Sequence, residues 1–205
     1  MFKTSITVIL MLITGTAWSH SFELAIILPL SGPQAEAGQQ ALDGFLLATT
    51  EEDSHPDETS DGHLGGLDSH VRKIDSGAGS TEMLNSLDEL MQSSELLFVS
   101  GLFTAAQAEL IAKTLKGENA VLFDPVESEM WRKAQSSPGQ LKSMDGGSFS
   151  ARFQKRHGYS PTQEVMRGYI AARLIAATVR SLTEDELNNS EDRMRAFARV
   201  QSKLQ

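Results

Sequence analysis

The chain has 205 residues, 40% of them hydrophobic, with 27 Asp and Glu against 18 Lys and Arg and no cysteine. The missing thiols exclude a disulfide framework, a thiolate metal site, a cysteine nucleophile and a lipid-bearing cysteine. A formal charge of -9 disfavours nucleic acid and anionic lipid as partners.

The first residues read as a secretory signal. Lys3 precedes an apolar run over residues 6–13, and Gly15, Thr16, Ala17 and Ser19 supply small residues behind it. That run is short for a membrane span. Cleavage after Ser19 fits the small-x-small rule with Ala17, and cuts after Ala17 or Ser21 are the alternatives. Residues 1–19 are therefore expected to be a cleaved signal and 20–205 a periplasmic protein, not inserted in a membrane. Residues 20–205 suit one domain with a proper core and fall short of two.

Residues 22–30 (FELAIILPL) are almost wholly apolar and end at Pro29 and Ser31-Gly32-Pro33, which predicts a strand buried on both faces of a parallel sheet. A helix follows, with Pro33 in its first turn and Ala37, Ala41, Leu42, Phe45, Leu46 and Ala48 at helical spacing as far as Thr50. Residues 51–66 turn polar and acidic, without apolar period, and read as an exposed loop. A second strand over 69–74 ends at Asp75-Ser76-Gly77. Ser80 or Thr81 then caps a helix to Gln92, with Met83, Leu84, Leu87, Leu90 and Met91 as its buried stripe.

The beat repeats as a strand over 95–100, a turn at Gly101, Leu102 and Phe103, and a helix from Thr104 to Lys116 carrying Ala108, Leu110, Ile111 and Leu115. A fourth strand covers 120–123. This alternation predicts an α/β fold: a doubly wound parallel sheet of about four strands, order 2-1-3-4, with helices on both faces. Residues 127–134 suit a short helix and 135–147 a Ser-, Gly- and Pro-rich connector. Residues 149–157, 162–182 and 190–204 are helical by composition and period, giving a helical C-terminal segment.

Two separated stretches resemble the type I periplasmic binding proteins, the leucine/isoleucine/valine-receptor family that delivers solutes to ABC importers. IILPLSGPQAEAGQQALDGFLLA at 26–48 looks like that family's first strand, ligand-facing turn and first helix, and continues through GGLDSHVRKIDSG at 65–77 and LLFVSGLFTAAQAELIAKTL at 96–115. FSARFQKRHGYSPTQEVMRGYIAARLIAATV at 149–179 resembles the family's returning helices, through Phe153, Gly158, Pro161, Gly168, Tyr169, Ala171 and Ala172. The family places a whole second lobe between the fourth strand and those helices, whereas here a connector over 126–148 stands in its place. The resemblance therefore implies a single lobe.

Ligands of open α/β sheets sit beyond the carboxyl ends of the strands, where strand order reverses. That rule puts residues 30–34, Asp75 to Gly77, residues 101–104 and Asp124 on one rim. The resemblance implies a ligand facing Ser31, Gly32, Gly101, Leu102, Phe103 and Thr104, with Asp75 beside them, through backbone amides, a hydroxyl and a helix N-terminus. Thr104 is the foremost polar candidate, and capping of the third helix is the competing role for it. Leu30, Leu102 and Phe103 are candidates for an interface with a second copy or another periplasmic protein, against ordinary packing as their alternative.

Other constellations carry less. His55, His63 and His70 with Asp53, Asp57, Glu58, Asp61 and Asp68 follow no zinc spacing and read as a solvated acidic loop. His20 would be a copper-friendly terminal residue after cleavage at Ser19. Gly77-Ala78-Gly79 lacks the third glycine of a dinucleotide fingerprint, since Glu82 occupies that place. No nucleophile is paired with a histidine at a recognisable spacing, so neither an enzyme nor a cofactor is expected. The implied function is recognition of a small polar or amino-acid-like solute beside an ABC import system, and the alternative is an interaction or regulatory module that kept the lobe and lost the pocket.

Overall fold

The computed structural model describes residues 21–53, 60–143 and 145–203. The expected signal, and His20, His55, Asp57 and Glu58, lie outside them.

Five strands form one sheet: β1 (Ser21–Leu28), β2 (His63–Leu64), β3 (Leu67–Asp75), β4 (Leu96–Gly101) and β5 (Val121–Phe123), in the order β2-β3-β1-β4-β5. All pairs are parallel except β2 with β3. The four expected strands thus stand in the expected order, and the short β2 adds an antiparallel edge. Central β1 is buried on both faces because its side chains alternate. Leu24, Ile26 and Leu28 enter one core while Ala25 and Ile27 enter the other.

The smaller core lies under α2 (Ser80–Ser93) and α3 (Ala105–Thr114), through Met83, Leu87 and Ile111. Of the apolar residues of α3, Ile111 is fully buried and Leu110 is 38% exposed. The larger core lies under α1 (Ala35–Glu51) and the C-terminal helices α4 (Glu129–Ser136), α5 (Phe149–His157), α6 (Gln163–Arg180), α7 (Glu184–Leu187) and α8 (Ser190–Lys203). α6 lies along α1, and Thr162 caps its start by accepting from the Val165 amide at 3.3 Å. Buried Arg193 of α8 donates to the Leu187 carbonyl and to both oxygens of Asn119, tying α8 to the entry of β5.

The acidic stretch before β3 differs from the expected solvated loop over the described residues 60–66. His63 and Leu64 are buried, and the polar groups around them are paired within the chain. His63 Nδ1 is 3.1 Å from Asp53 Oδ1 and Nε2 is 2.9 Å from Asp68 Oδ1. Asp61 accepts from the Val71 amide at 2.8 Å, and Thr49 Oγ1 donates to the Asp61 carbonyl at 2.6 Å. Carboxylates that read as surface composition here pair with His63 and satisfy an amide of β3. The short helix expected over 127–134 is present as α4, and the connector after it is more ordered than expected, with a 3-10 turn at Pro138–Gln140 and a bridge between Lys142 and Ser148.

Among the described residues, no helix is long and apolar enough to cross a membrane.

Candidate functional site

The register of β1 against β3 sets Leu28 level with Asp75, at the carboxyl ends of both strands. From there the Asp75 carboxylate accepts from the amides of Leu30 at 2.8 Å, Ser31 at 3.1 Å and Gly77 at 2.7 Å, so one side chain fixes the turns after both strands. The Ser31 hydroxyl, and then these amides, hold the Asp75 carboxyl below the usual range against the opposing effect of burial. The two turns are pressed together, because a Cβ on Gly77 would lie 2.1 Å from the Ser31 carbonyl oxygen. A 3-10 turn at Gly32–Gln34, with Pro33 in it, then feeds α1.

β4 ends where Gly101 meets β1. A Cβ there would stand 1.9 Å from the Ile27 carbonyl oxygen, which itself accepts from the Leu102 amide at 2.9 Å. Thr104 and Gln107 then form a capping box: Thr104 Oγ1 accepts from the Gln107 amide at 3.3 Å, while Gln107 Oε1 accepts from the Thr104 amide at 2.9 Å and its hydroxyl at 3.2 Å.

The facing wall comes from the C-terminal half. Ser128 starts α4 by accepting from the Trp131 amide at 3.1 Å, which seats the Trp131 ring beside α6. Gln163, Glu164 and Arg167 occupy the first turns of α6. Arg167 Nη2 is 3.4 Å from Asp124 Oδ1, which also accepts from the Val126 amide at 3.0 Å. The walls enclose an open cleft of about 640 Å³. Its lining is mixed: Leu102, Phe103 and Trp131 are apolar, Ser31, Thr104, Gln107 and Gln163 are neutral and polar, and Glu164 and Arg167 are opposite charges one helical turn apart. Concave sites with an apolar lining and a few convergent polar groups are the usual form of a small-molecule site.

No protein-family model matches the chain, and no curated protein matches it significantly in sequence. Solved structures do match in fold. An ABC transporter substrate-binding protein from Sphaerobacter thermophilus superposes with a TM-score of 0.63 at 12% identity, over 86% of this chain and 85% of that one. The leucine-binding protein LivK from Thermotoga maritima gives 0.61 at 11% identity, over 86% and 87%. An amino acid ABC transporter substrate-binding protein from Pseudomonas fluorescens gives 0.59 at 11% identity, over 84% and 82%. The fold is that of the type I periplasmic binding proteins.

Within this type I fold, Ser31, Leu102, Phe103 and Thr104 line the cleft. Gly32, Gly101 and Asp75 stand behind it: Gly32 turns the chain with φ +73°, Gly101 admits the close approach of β1, and Asp75 holds the two turns. Leu30, Leu102 and Phe103 are half-buried and pack against the cores. Thr104 fills its capping role and also reaches the lining. Residue reasoning missed Trp131, Gln163, Glu164 and Arg167, because the resemblance directed attention to the strand-end turns. Arg167 carried a signal, as the one charged side chain in the MRGYIAA stretch of α6. Among the described residues, no group of three or more His, Asp and Glu side chains is arranged to hold a metal.

Proposed function

We propose that the protein is a single-lobe periplasmic solute-binding protein that takes a small polar, amino-acid-like solute in the cleft between Ser31, Thr104 and α6, in association with an ABC import system. The observation that carries the reading is the cleft itself. It lies beyond the carboxyl ends of β1, β3 and β4, where strand order reverses, and it offers one positive and one negative side chain beside apolar walls. A zwitterion with a modest apolar side chain has that chemistry. The fold likeness to substrate-binding proteins supports binding rather than catalysis. Residues 1–19 act as the signal that delivers residues 20–205 to the periplasm, and 126–148 replace a second lobe.

A lobe that leaves one side of its ligand wet loses much of the affinity a closed clamshell gains, so the expected Kd is on the order of millimolar. Light scattering of the signal-free protein, with thermal-shift screening of amino acids and small carboxylates on the same sample, tests the reading. Stabilisation by one of these classes supports it. A well-folded sample that no member shifts at millimolar concentration favours an interaction or regulatory module, with a second copy or another periplasmic protein on the rim.

A further inference from the structure

We infer that Arg167 on α6, rather than the strand-end turns, is the group that recognises the carboxylate of the solute. This inference rests on the reading of the cleft as a solute site. The donors of the turns are largely spent within the chain. The Ser31 amide serves Asp75, the Leu102 amide serves the Ile27 carbonyl, and the amide and hydroxyl of Thr104 serve Gln107.

Arg167 is the opposite case. Its side chain is 19% exposed and lines the cleft, its Nε is buried without a hydrogen-bond partner among the described residues, and its ion pair with Asp124 is long at 3.4 Å. Guanidinium–carboxylate contacts ordinarily close to about 2.7–2.9 Å, in pairs. Asp124 Oδ1 is shared with the Val126 amide, so it leaves most of the guanidinium fork unused. A buried N–H without an acceptor is costly. An incoming carboxylate would draw on the Nη groups that Asp124 leaves largely unused, with two parallel contacts, a geometry that lysine does not reproduce. Trp131 and Phe103 give the site apolar surface that suits an apolar substituent, while Glu164, one turn before Arg167, separates solutes that carry an ammonium from those that do not.

The test is ligand-observed NMR titration of the signal-free protein with three probes: L-leucine, isovalerate, which keeps the carboxylate and lacks the ammonium, and L-leucinamide, which lacks the carboxylate. The wild-type protein is expected to bind L-leucine and isovalerate and to bind L-leucinamide at least tenfold more weakly. Arg167→Gln should lose at least tenfold for both carboxylates, Arg167→Lys should fall between, and Arg132→Gln on the exposed side of α4 should match the wild type. Asp124→Asn guards against a misfolded Arg167 variant. Freed of its competing carboxylate, Arg167 should bind isovalerate more tightly than in the wild type. Equal carboxylate affinity in the wild type and Arg167→Gln, or unchanged or weaker isovalerate binding by Asp124→Asn, overturns the assignment to Arg167 while the cleft remains a solute site. A wild-type protein that binds none of the probes overturns both readings.

Discussion

Gly168 of α6 rests directly on the backbone of Ala41 in α1, so that a Cβ at 168 would stand 1.9 Å from the Ala41 carbonyl oxygen. Three residues earlier the relation is reversed, because a Cβ on Gly44 of α1 would stand 2.0 Å from the Val165 carbonyl oxygen. The two glycines let the helices approach backbone to backbone, and α6 carries Arg167 and Glu164 to the cleft on that contact. Overpacking a dense contact costs about 1–3 kcal/mol, and more when the obstacle is backbone. Gly168→Ala should therefore destabilise the protein by about 3 kcal/mol in urea unfolding, whereas Gly139→Ala, in open space, should change stability little.

Asp75 ties two turns together through three amides, so its loss should loosen the rim before it unfolds the sheet. Asp75→Asn is expected to cost about 1–2 kcal/mol at neutral pH. The carboxyl titrates below its ordinary value of 3.8 in the folded protein, so between the two values the unfolded chain binds more protons than the native one. The stability Asp75 contributes is fully present above the unfolded value and is lost as pH falls through the folded value. Urea unfolding of wild type and Asp75→Asn at pH 7 and in strong acid should show a gap that narrows in acid; a constant gap would contradict the pairing.

Arg193 is wholly buried, with its guanidinium 5.8 Å from the centre of the Phe98 ring and Nη2 2.8 Å from Asn119 Oδ1. Arg193→Ala would leave the Leu187 and Asn119 carbonyls without their donor and open a cavity beneath α8. We expect a loss of about 3–5 kcal/mol from the cavity and the unsatisfied carbonyls, with amide exchange in α8 and around Asn119 accelerated before that of β1. Equal acceleration throughout would contradict a local fastening.

Much of the fold was legible because its signals are local. The apolar run of β1, the strand-helix beat and the cap at Thr104 all sit within short windows. Short α7 escaped notice although Thr183 and Glu186 form a readable capping box. The hairpin at His63 and Leu64 was hidden for a different reason. Polar residues are buried there by pairing with Asp53 and Asp68, and such pairing has no sequence period. The cleft was half legible: the turns at Ser31 and Thr104 followed from the strand-end rule. Trp131, Glu164 and Arg167 reach it only through the packing of α4 and α6 across the sheet, which no short window records.

Trp131 offers the most direct measurement. The chain has two tryptophans, at 18 and 131, so the protein without its signal reports from the cleft wall alone. The intrinsic fluorescence of that protein should be titrated with L-leucine and isovalerate. The account predicts a saturable change with a midpoint on the order of millimolar, weakened at least tenfold by Arg167→Gln. A flat response at saturating concentrations, from a protein that unfolds cooperatively, would contradict a solute site in this cleft.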